Sequence, residues 1–573
     1  MLARTQSMNG KPKNILFVMY DQLRFDYMSC AGHKTLHTPH MDWLAENGVR
    51  FTEAYCQSPV CGSSRMSFYT GRYVSSHGAH WNGFPLKVGE MTMGDHLRKL
   101  GMDSWLIGKT HMRADVEGME RLGISPTGVI GARVAQCGFD IWERDDGLWN
   151  EGPDGRYDEG ESPYNEALKA RGYESDNPWL ENANSGIDDE GNMLSGMLMT
   201  HARKPANIRE EDSETPYMTT RAIEFIDKMA ADQSGPWHCH LSYIKPHWPY
   251  IVPEPYHDMY GVDDIQPLVR AESELENQHP VFAGYSSNVI GRAFQRQEVR
   301  EAVIPAYMGL IKQCDDQLGR LLAHLRETGR IHDTMIVLTA DHGDNLGDHW
   351  LGEKDLFHEP SVKIPMIVYD PSPEADATRG TTCDALVESI DLAATFVEIA
   401  GGDVPEHILE GRSLMPWVHG QTPDDWRDFV VSEYDYSVSP VAVNLGVTPR
   451  DARLFMVADR HWKFMHAEGG FRPMLFDRED DPDELNDLGG SNRHADVIER
   501  MYDRLARWGR RMSQRTTRSD YQITQIMRGR SRRRGITLGV YDEDDIDAEL
   551  ISKFVGAAKQ RFVARQDPDD QSD

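Results

Sequence analysis

The chain has 573 residues, enough for a large core and more than one domain. Its hydrophobic content of 39% is low for a globular enzyme but lacks the signature of disorder. Asp and Glu outnumber Lys and Arg by 92 to 61, and the formal charge of -31 argues against nonspecific binding to nucleic acid or to anionic membranes. An acidic protein that handles an anion must gather positive charge at its site, so single Lys, Arg and His residues carry weight. Residues 1–13 are polar, and the apolar run Ile15 to Met19 is far too short for a signal core or a membrane span, as is every later segment. The seven cysteines are scattered, with no CxxC pattern and no disulfide framework, so a reducing, cytoplasmic location is expected.

Asn14 to Tyr20 is a continuous apolar run, the mark of a strand buried on both faces, and Asp21-Gln22 follow it directly. Ligands of open α/β sheets sit beyond the carboxyl ends of strands, so Asp21 is placed for a metal, although a single Asp is as often a turn residue. Thr38-Pro39 opens a short helix that stops at Gly48. Next comes Val60-Cys61-Gly62-Ser63-Ser64-Arg65, then Thr70-Gly71-Arg72. Small residues allow close approach of a ligand, and a helix starting over Met66 to Tyr69 would set Cys61 and Arg65 near a positive N-terminus suited to an anion. On these residues alone a nucleophilic thiol and a structural cysteine beside a cap are equally supported. After Asn82, Met93 to Leu100 reads as a helix and Trp105 to Ile107 as a strand, followed by Gly108-Lys109-Thr110-His111. On an extended segment Lys109 and His111 would share a face.

Residues 115–217 are rich in Gly, Asn, Asp and Glu and read as an insertion over the carboxyl edge of the sheet, part of it a lid or pocket wall. A helix over Thr219 to Met229 leads to a strand at Trp237 to Tyr243 and to Lys245-Pro246-His247-Trp248-Pro249, whose prolines fix the backbone around His247. Tyr256 to Gln297 is a second irregular insertion. A long amphipathic helix with Tyr307, Leu310, Ile311, Cys314, Leu318, Leu321, Leu322 and Leu325 ends at Gly329. Thr334 to Ala340 is another buried strand, followed at once by Asp341-His342-Gly343, then Asp344, Asp348, His349 and Lys354. Pro365 to Tyr369 reads as a strand, and Leu386 to Ala400 as a helix. Four strand-like pieces lie between Phe429 and Phe476, then Asp477 to Leu488 and a helix over Ala495 to Met512.

Five of these pieces occur in the order found in the sulfatase family: Asp21, the Cys61-Arg65 stretch, Gly108 to His111, Pro246-His247 and Asp341-His342. The Cys61 stretch resembles the signature Cys-x-Pro-Ser-Arg, with Ser63 where the pattern has Pro, and Asp477 to Leu488 resembles the ending of the family's C-terminal subdomain. The resemblance spans roughly residues 14–488. It implies an α/β fold, an alkaline phosphatase-like large mixed sheet sandwiched by helices, with a smaller C-terminal α+β subdomain. The expected divisions are 1–425, 426–512 and a tail, 513–573. It further implies that a formylglycine-generating enzyme oxidises Cys61 to formylglycine, whose hydrate attacks a small anionic ester and forms a covalent intermediate. Arg65 would support the hydrate and His111 would be the base for its collapse. Lys109, His247 and Lys354 would bind the anion, His247 or Lys354 assisting the leaving group, with Asn82 a weaker substrate contact. One divalent metal would be held by Asp21, Gln22, modified residue 61, Asp341 and His342.

Calcium sulfatases carry Asp-Asp and Asp-Asn where this chain has Asp21-Gln22 and Asp341-His342. Calcium prefers all-oxygen ligands and an imidazole favours a first-row ion, so manganese is preferred over calcium. That combination is similar to the phosphonate monoester hydrolases, which place Tyr and Thr where Lys109 and His111 stand; the pair here is sulfatase-like. The expected activity is an arylsulfatase close to the phosphonate hydrolase branch, the alternative a phosphonate monoester hydrolase and phosphodiesterase with sulfatase side activity. An unmodified Cys61 would instead leave an anion-binding protein. The tail sets a basic run, Arg528 to Arg534, beside an acidic one, Asp542 to Glu549, and its apolar residues need cover, so a homodimer or homotetramer that exchanges tails is expected.

Overall fold

In a computed structural model, described for residues 12–125, 128–147, 162–511, 516–527 and 544, the chain builds one large sheet and one small one around a mostly apolar core. The large sheet has eight strands: β1 (Asn14–Asp21), β2 (Val49–Tyr55), β3 (Asp103–Gly108), β4 (Asp140–Arg144), β7 (Trp237–Pro246), β8 (Thr334–Ala340), β9 (Met366–Tyr369) and β10 (Thr381–Glu388). Between β4 and β7 a hairpin of β5 (Ser185–Ile187) and β6 (Met193–Ser195) stands apart. The order is β10-β2-β9-β8-β1-β7-β3-β4, and β9 alone runs against its neighbours. The apolar runs of β1 and β8 follow from this order: like β7, each lies inside the sheet and is buried along its whole length.

The parallel neighbours β8-β1-β7-β3 bring four carboxyl ends to one edge: Asp21 ends β1, and the loops after β8, β7 and β3 carry Asp341, His247 and Lys109. The 31-residue helix Gln297–Glu327 and the helix Glu214–Ala231 pack together beside β7. The small sheet is antiparallel, β11 (Val430–Asp435), β12 (Arg453–Ala458), β13 (Trp462–Ala467) and β14 (Met474–Asp477), and the helix Ala495–Arg511 closes it with Val497, Met501 and Trp508 over Val431, Val457, Phe464 and Leu475. A separate short helix, Asp520–Met527, is the described part of the tail; Arg528 to Arg534 and the expected tail exchange lie outside the described residues.

Three local expectations are corrected. The helix after Val60 starts at Cys61 and runs to Thr70, so Arg65 lies within it, one turn from Cys61. Residues 386–388 end strand β10, and the helix that follows is Asp391–Ile399. The first insertion is partly regular: its β4 extends the main sheet beside β3, and the second insertion contains the helices Pro280–Ser286 and Val289–Gln295. Among the described residues no helix is long and apolar enough to cross a membrane.

Candidate active site

Cys61 is the first residue of its helix and is fully buried. Two neighbours explain the small residues around it. A Cβ on Gly62 would lie 2.9 Å from Cα and Oδ1 of Asn82, whose Oδ1 accepts the Gly62 N–H at 2.7 Å. A Cβ on Gly343 would lie 2.0 Å from the carbonyl oxygen of Pro360, so only glycine lets the Asp341-His342-Gly343 turn pass there.

Three side chains meet at the thiol. His342 Nε2 stands 3.0 Å from Cys61 Sγ, Lys354 Nζ 3.2 Å and Asp21 Oδ1 3.8 Å. The ligand-type atoms of Asp21, Cys61, Asp341 and His342 all lie within 4.8 Å of one another, and all four residues are buried. His342 Nδ1 donates to the carbonyl of Gly343 at 2.9 Å, which turns Nε2 toward the cluster. Asp341 Oδ1 accepts the N–H groups of Gln22 and His342, each at 3.0 Å.

Arg65 lies beneath these carboxylates rather than beside the cavity. Its Nε donates to Asp341 Oδ2 at 2.9 Å, Nη2 to Asp21 Oδ2 at 3.1 Å, and Nη1 to the Lys109 carbonyl at 2.9 Å and to Ser242 Oγ at 2.7 Å, with no part of the side chain exposed. Lys109 Nζ reaches the same Asp21 oxygen at 2.5 Å. A buried carboxylate pair needs such cover, because an unpaired buried charge is costly. Burial and the Cys61 charge would raise the Asp21 pKa, but Lys109, His247 and Arg65 hold it below the ordinary carboxylate range. Burial would likewise raise the thiol of Cys61, and Lys354, His342 and Lys109 pull it well below its usual value. Against burial, Asp341 and Cys61 raise His342 to about 9.

The expected face shared by Lys109 and His111 is not formed by an extended segment: His111 has a φ of 54°, and its N–H and that of Thr110 are held by Asp146 Oδ1 at 2.8 and 2.7 Å. Among the described residues, the Nδ1 of His111 is buried without a hydrogen-bond partner. Gln22, with a φ of 67°, donates from Nε2 to Asp344 at 2.5 Å and to Tyr250 at 3.1 Å, and its Oε1 accepts from Lys354 at 3.2 Å. His247 Nδ1 bonds the Trp248 carbonyl at 2.7 Å and its Nε2 stands 3.0 Å from Lys354 Nζ.

All of this opens on a cavity of about 540 Å³, lined by Asn82, Lys109, His111, His247 and Lys354. Its outer wall consists of residues that sequence reasoning did not single out. Trp179 and Met197 come from the first insertion, Phe84 and Trp248 from loops, and Glu353 from the loop before Lys354. Asp348 and His349 lie away from the thiol cluster, pairing with Arg24 at 2.8 Å and with Glu274 at 2.8 Å.

The donor set fits a divalent ion: two carboxylates, an imidazole whose Nε2 faces the cluster and a thiol position with lowered pKa, gathered in one buried cluster. Comparison with known proteins bears on the same residues. A family profile described as Sulfatase matches residues 13–402, and one described as N-sulphoglucosamine sulphohydrolase, C-terminal, matches 347–511. The multifunctional alkaline phosphatase superfamily protein PehA of Trinickia caryophylli is 28% identical over 536 residues, covering 87% of this chain and 95% of its own. An arylsulfatase of Clostridium perfringens is 25% identical over 506 residues, covering 85% and 92%. The solved phosphonate monoester hydrolase SpPMH of Silicibacter pomeroyi superposes with a TM-score of 0.74 at 28% identity, covering 88% of this chain and 96% of that one.

Proposed function

The chain belongs to the sulfatase family of the alkaline phosphatase superfamily, and from that premise we propose that this hydrolase cleaves sulfate monoesters, aryl sulfates among them, through residue 61. The observation that carries the reading is the buried cluster of Cys61, Asp21, Asp341 and His342, with Lys354 on the thiol and the cavity beyond.

Asp21, Asp341, His342 and the Gln22 amide would hold a single divalent ion, manganese in preference to calcium. Such an ion supplies positive charge beside residue 61 and beside the non-bridging oxygens of the ester. Formylglycine at position 61, made by a formylglycine-generating enzyme, would supply an aldehyde hydrate as nucleophile. The chain's own residues do the rest. Arg65 fixes both carboxylates from below and so holds the site in one geometry. Lys354 and Lys109 bring positive charge to the anion, and Asn82 ties the start of the nucleophile helix to the cavity rim. His111 stands beside residue 61, lowers its pKa, and has a ring nitrogen free of other partners to take a proton there.

Phosphonate monoester hydrolysis is the second reading. It is favoured by the likeness to the Silicibacter pomeroyi phosphonate monoester hydrolase, while the Lys109 and His111 pair favours sulfate. A panel of aryl sulfate, phosphonate monoester, phosphodiester and phosphate monoester on manganese-loaded protein tests both. Highest kcat/KM on the sulfate supports the first reading, highest on the phosphonate the second, and no turnover of any ester contradicts both.

A further inference from the structure

Strand β11 is the edge of the small sheet, yet its outer side lies against the segment that leads into the helix of residue 61. The Glu433 N–H donates to the Gln57 carbonyl at 2.8 Å, Gln57 Nε2 donates to the Val431 carbonyl at 3.4 Å, and Ser432 Oγ bonds the Cys56 carbonyl. On its other side β11 pairs with β12, with Tyr434 opposite Leu454. The backbone at Tyr434 is therefore fixed from both sides, in register with the chain just before Cys61.

Tyr434 is buried, and its ring stacks on Trp81 with centroids 5.7 Å apart and planes at 22°. Its hydroxyl donates to Asp355 Oδ1 at 2.5 Å and stands 2.7 Å from the hydroxyl of Tyr285, in the helix Pro280–Ser286 of the second insertion. A phenol has one proton, so with that proton on Asp355 it is Tyr285 that donates to Tyr434. A Phe would fill the same space and lose both bonds.

Asp355 adjoins Lys354, whose Nζ reaches His247 Nε2 at 3.0 Å and Gln22 Oε1 at 3.2 Å in the cavity. The backbone that delivers Lys354 is left-handed on both sides of it, with φ 52° at Glu353, 91° at Asp355 and 59° at Leu356. Such conformations in non-glycine residues are unfavourable and persist only where the surroundings hold them. Before Lys354, the Glu353 carbonyl accepts the Asn345 N–H at 2.6 Å. After it, the hold is the bond from Tyr434 to Asp355.

Resting on the proposed hydrolysis at residue 61, we propose that Tyr434 is a positioning residue for that reaction, setting the reach of Lys354 into the cavity through Asp355. The small C-terminal sheet is thereby a working part of the site. Tyr434 makes no bond to the substrate and acts on the ester only through Lys354.

The test is a double-mutant cycle of Tyr434→Phe with Lys354→Ala, in manganese-loaded protein, on whichever ester of the panel the wild type turns over fastest. Tyr434→Phe keeps the ring on Trp81 and removes only the hydroxyl. With Lys354 present it should lower kcat/KM about 10- to 100-fold, the scale of a displaced reacting group. In the Lys354→Ala background it should lower kcat/KM by less than about 2-fold further, because the group it places is gone. The thermal midpoint should fall by the same amount in both backgrounds, so an activity loss that merely followed stability would appear in both. Equal activity losses in the two backgrounds, or none in either, would overturn the proposal and leave hydrolysis at residue 61 standing. If Lys354→Ala falls below detection, Tyr434→Phe with Asp355→Asn reads the same chain: a double variant no worse than its worse single supports the proposal, and losses that multiply overturn it. A wild type that turns over no ester of the panel would overturn the proposed function and this proposal together.

Discussion

The Cys61 side and the outer wall of the cavity are built in opposite ways. Around Cys61 the carboxylates and their partners are buried and cross-tied: Asp21 meets Arg65 and Lys109, Asp341 meets Arg65 and two backbone N–H groups, and His342 is turned by the Gly343 carbonyl. Across the cavity stand Phe84, Trp179, Met197, Trp248 and Glu353, supplied by loops and an insertion. The first half comes from the helix Cys61–Thr70 and from the carboxyl ends of parallel strands, where the backbone is fixed by regular structure. The second comes from segments that differ in origin and can vary without disturbing the sheet. On the proposed function, the buried side would set the reaction type and the outer wall the choice of ester.

Changes in the buried half should have the largest effects. Cys61→Ala removes the nucleophile itself and should lower kcat by at least about 10⁴-fold with the fold retained, as measured by single-turnover kinetics and circular dichroism. Chelation should abolish turnover, and manganese should restore it better than calcium, because the cluster contains an imidazole. Full recovery with calcium alone would contradict that ligand argument. Arg65→Met strips the cation from two buried carboxylates and should lower unfolding stability by roughly 3–5 kcal/mol, read from the denaturant midpoint. Met197→Ala, in the outer wall, should raise KM for a bulky aryl ester about 5- to 20-fold, the scale of one apolar side chain in a pocket, and leave a small ester nearly unchanged. A Met197→Ala variant that lowered kcat on both esters alike would erase the distinction between the halves.

The same division governs what the sequence made legible. Asp21, Asp341 and His342 are readable because each lies at the end of a short apolar run, and Cys61 because small residues and Arg65 follow it; the fold then gathers them. Strand β4, Asp-Ile-Trp-Glu-Arg, was illegible because it is an edge strand with half its side chains outside the core. The polar start of β10 hid a strand whose last residues resemble a helix start. Arg65 was expected beside an anion at a helix N-terminus, and the structure puts it under the carboxylates because the helix begins at Cys61. Trp179, Met197 and Glu353 share no local pattern: their convergence depends on tertiary packing of irregular segments, which no periodicity records.

The central claim is that residue 61 acts as a modified nucleophile, and the peptide that contains it tests this directly. Mass spectrometry on active protein, digested and matched against the sequence around Val60 to Arg65, should show the mass of an aldehyde in place of a thiol, in a fraction that rises in step with specific activity across preparations. A fully active preparation in which residue 61 is an unmodified cysteine would contradict the account.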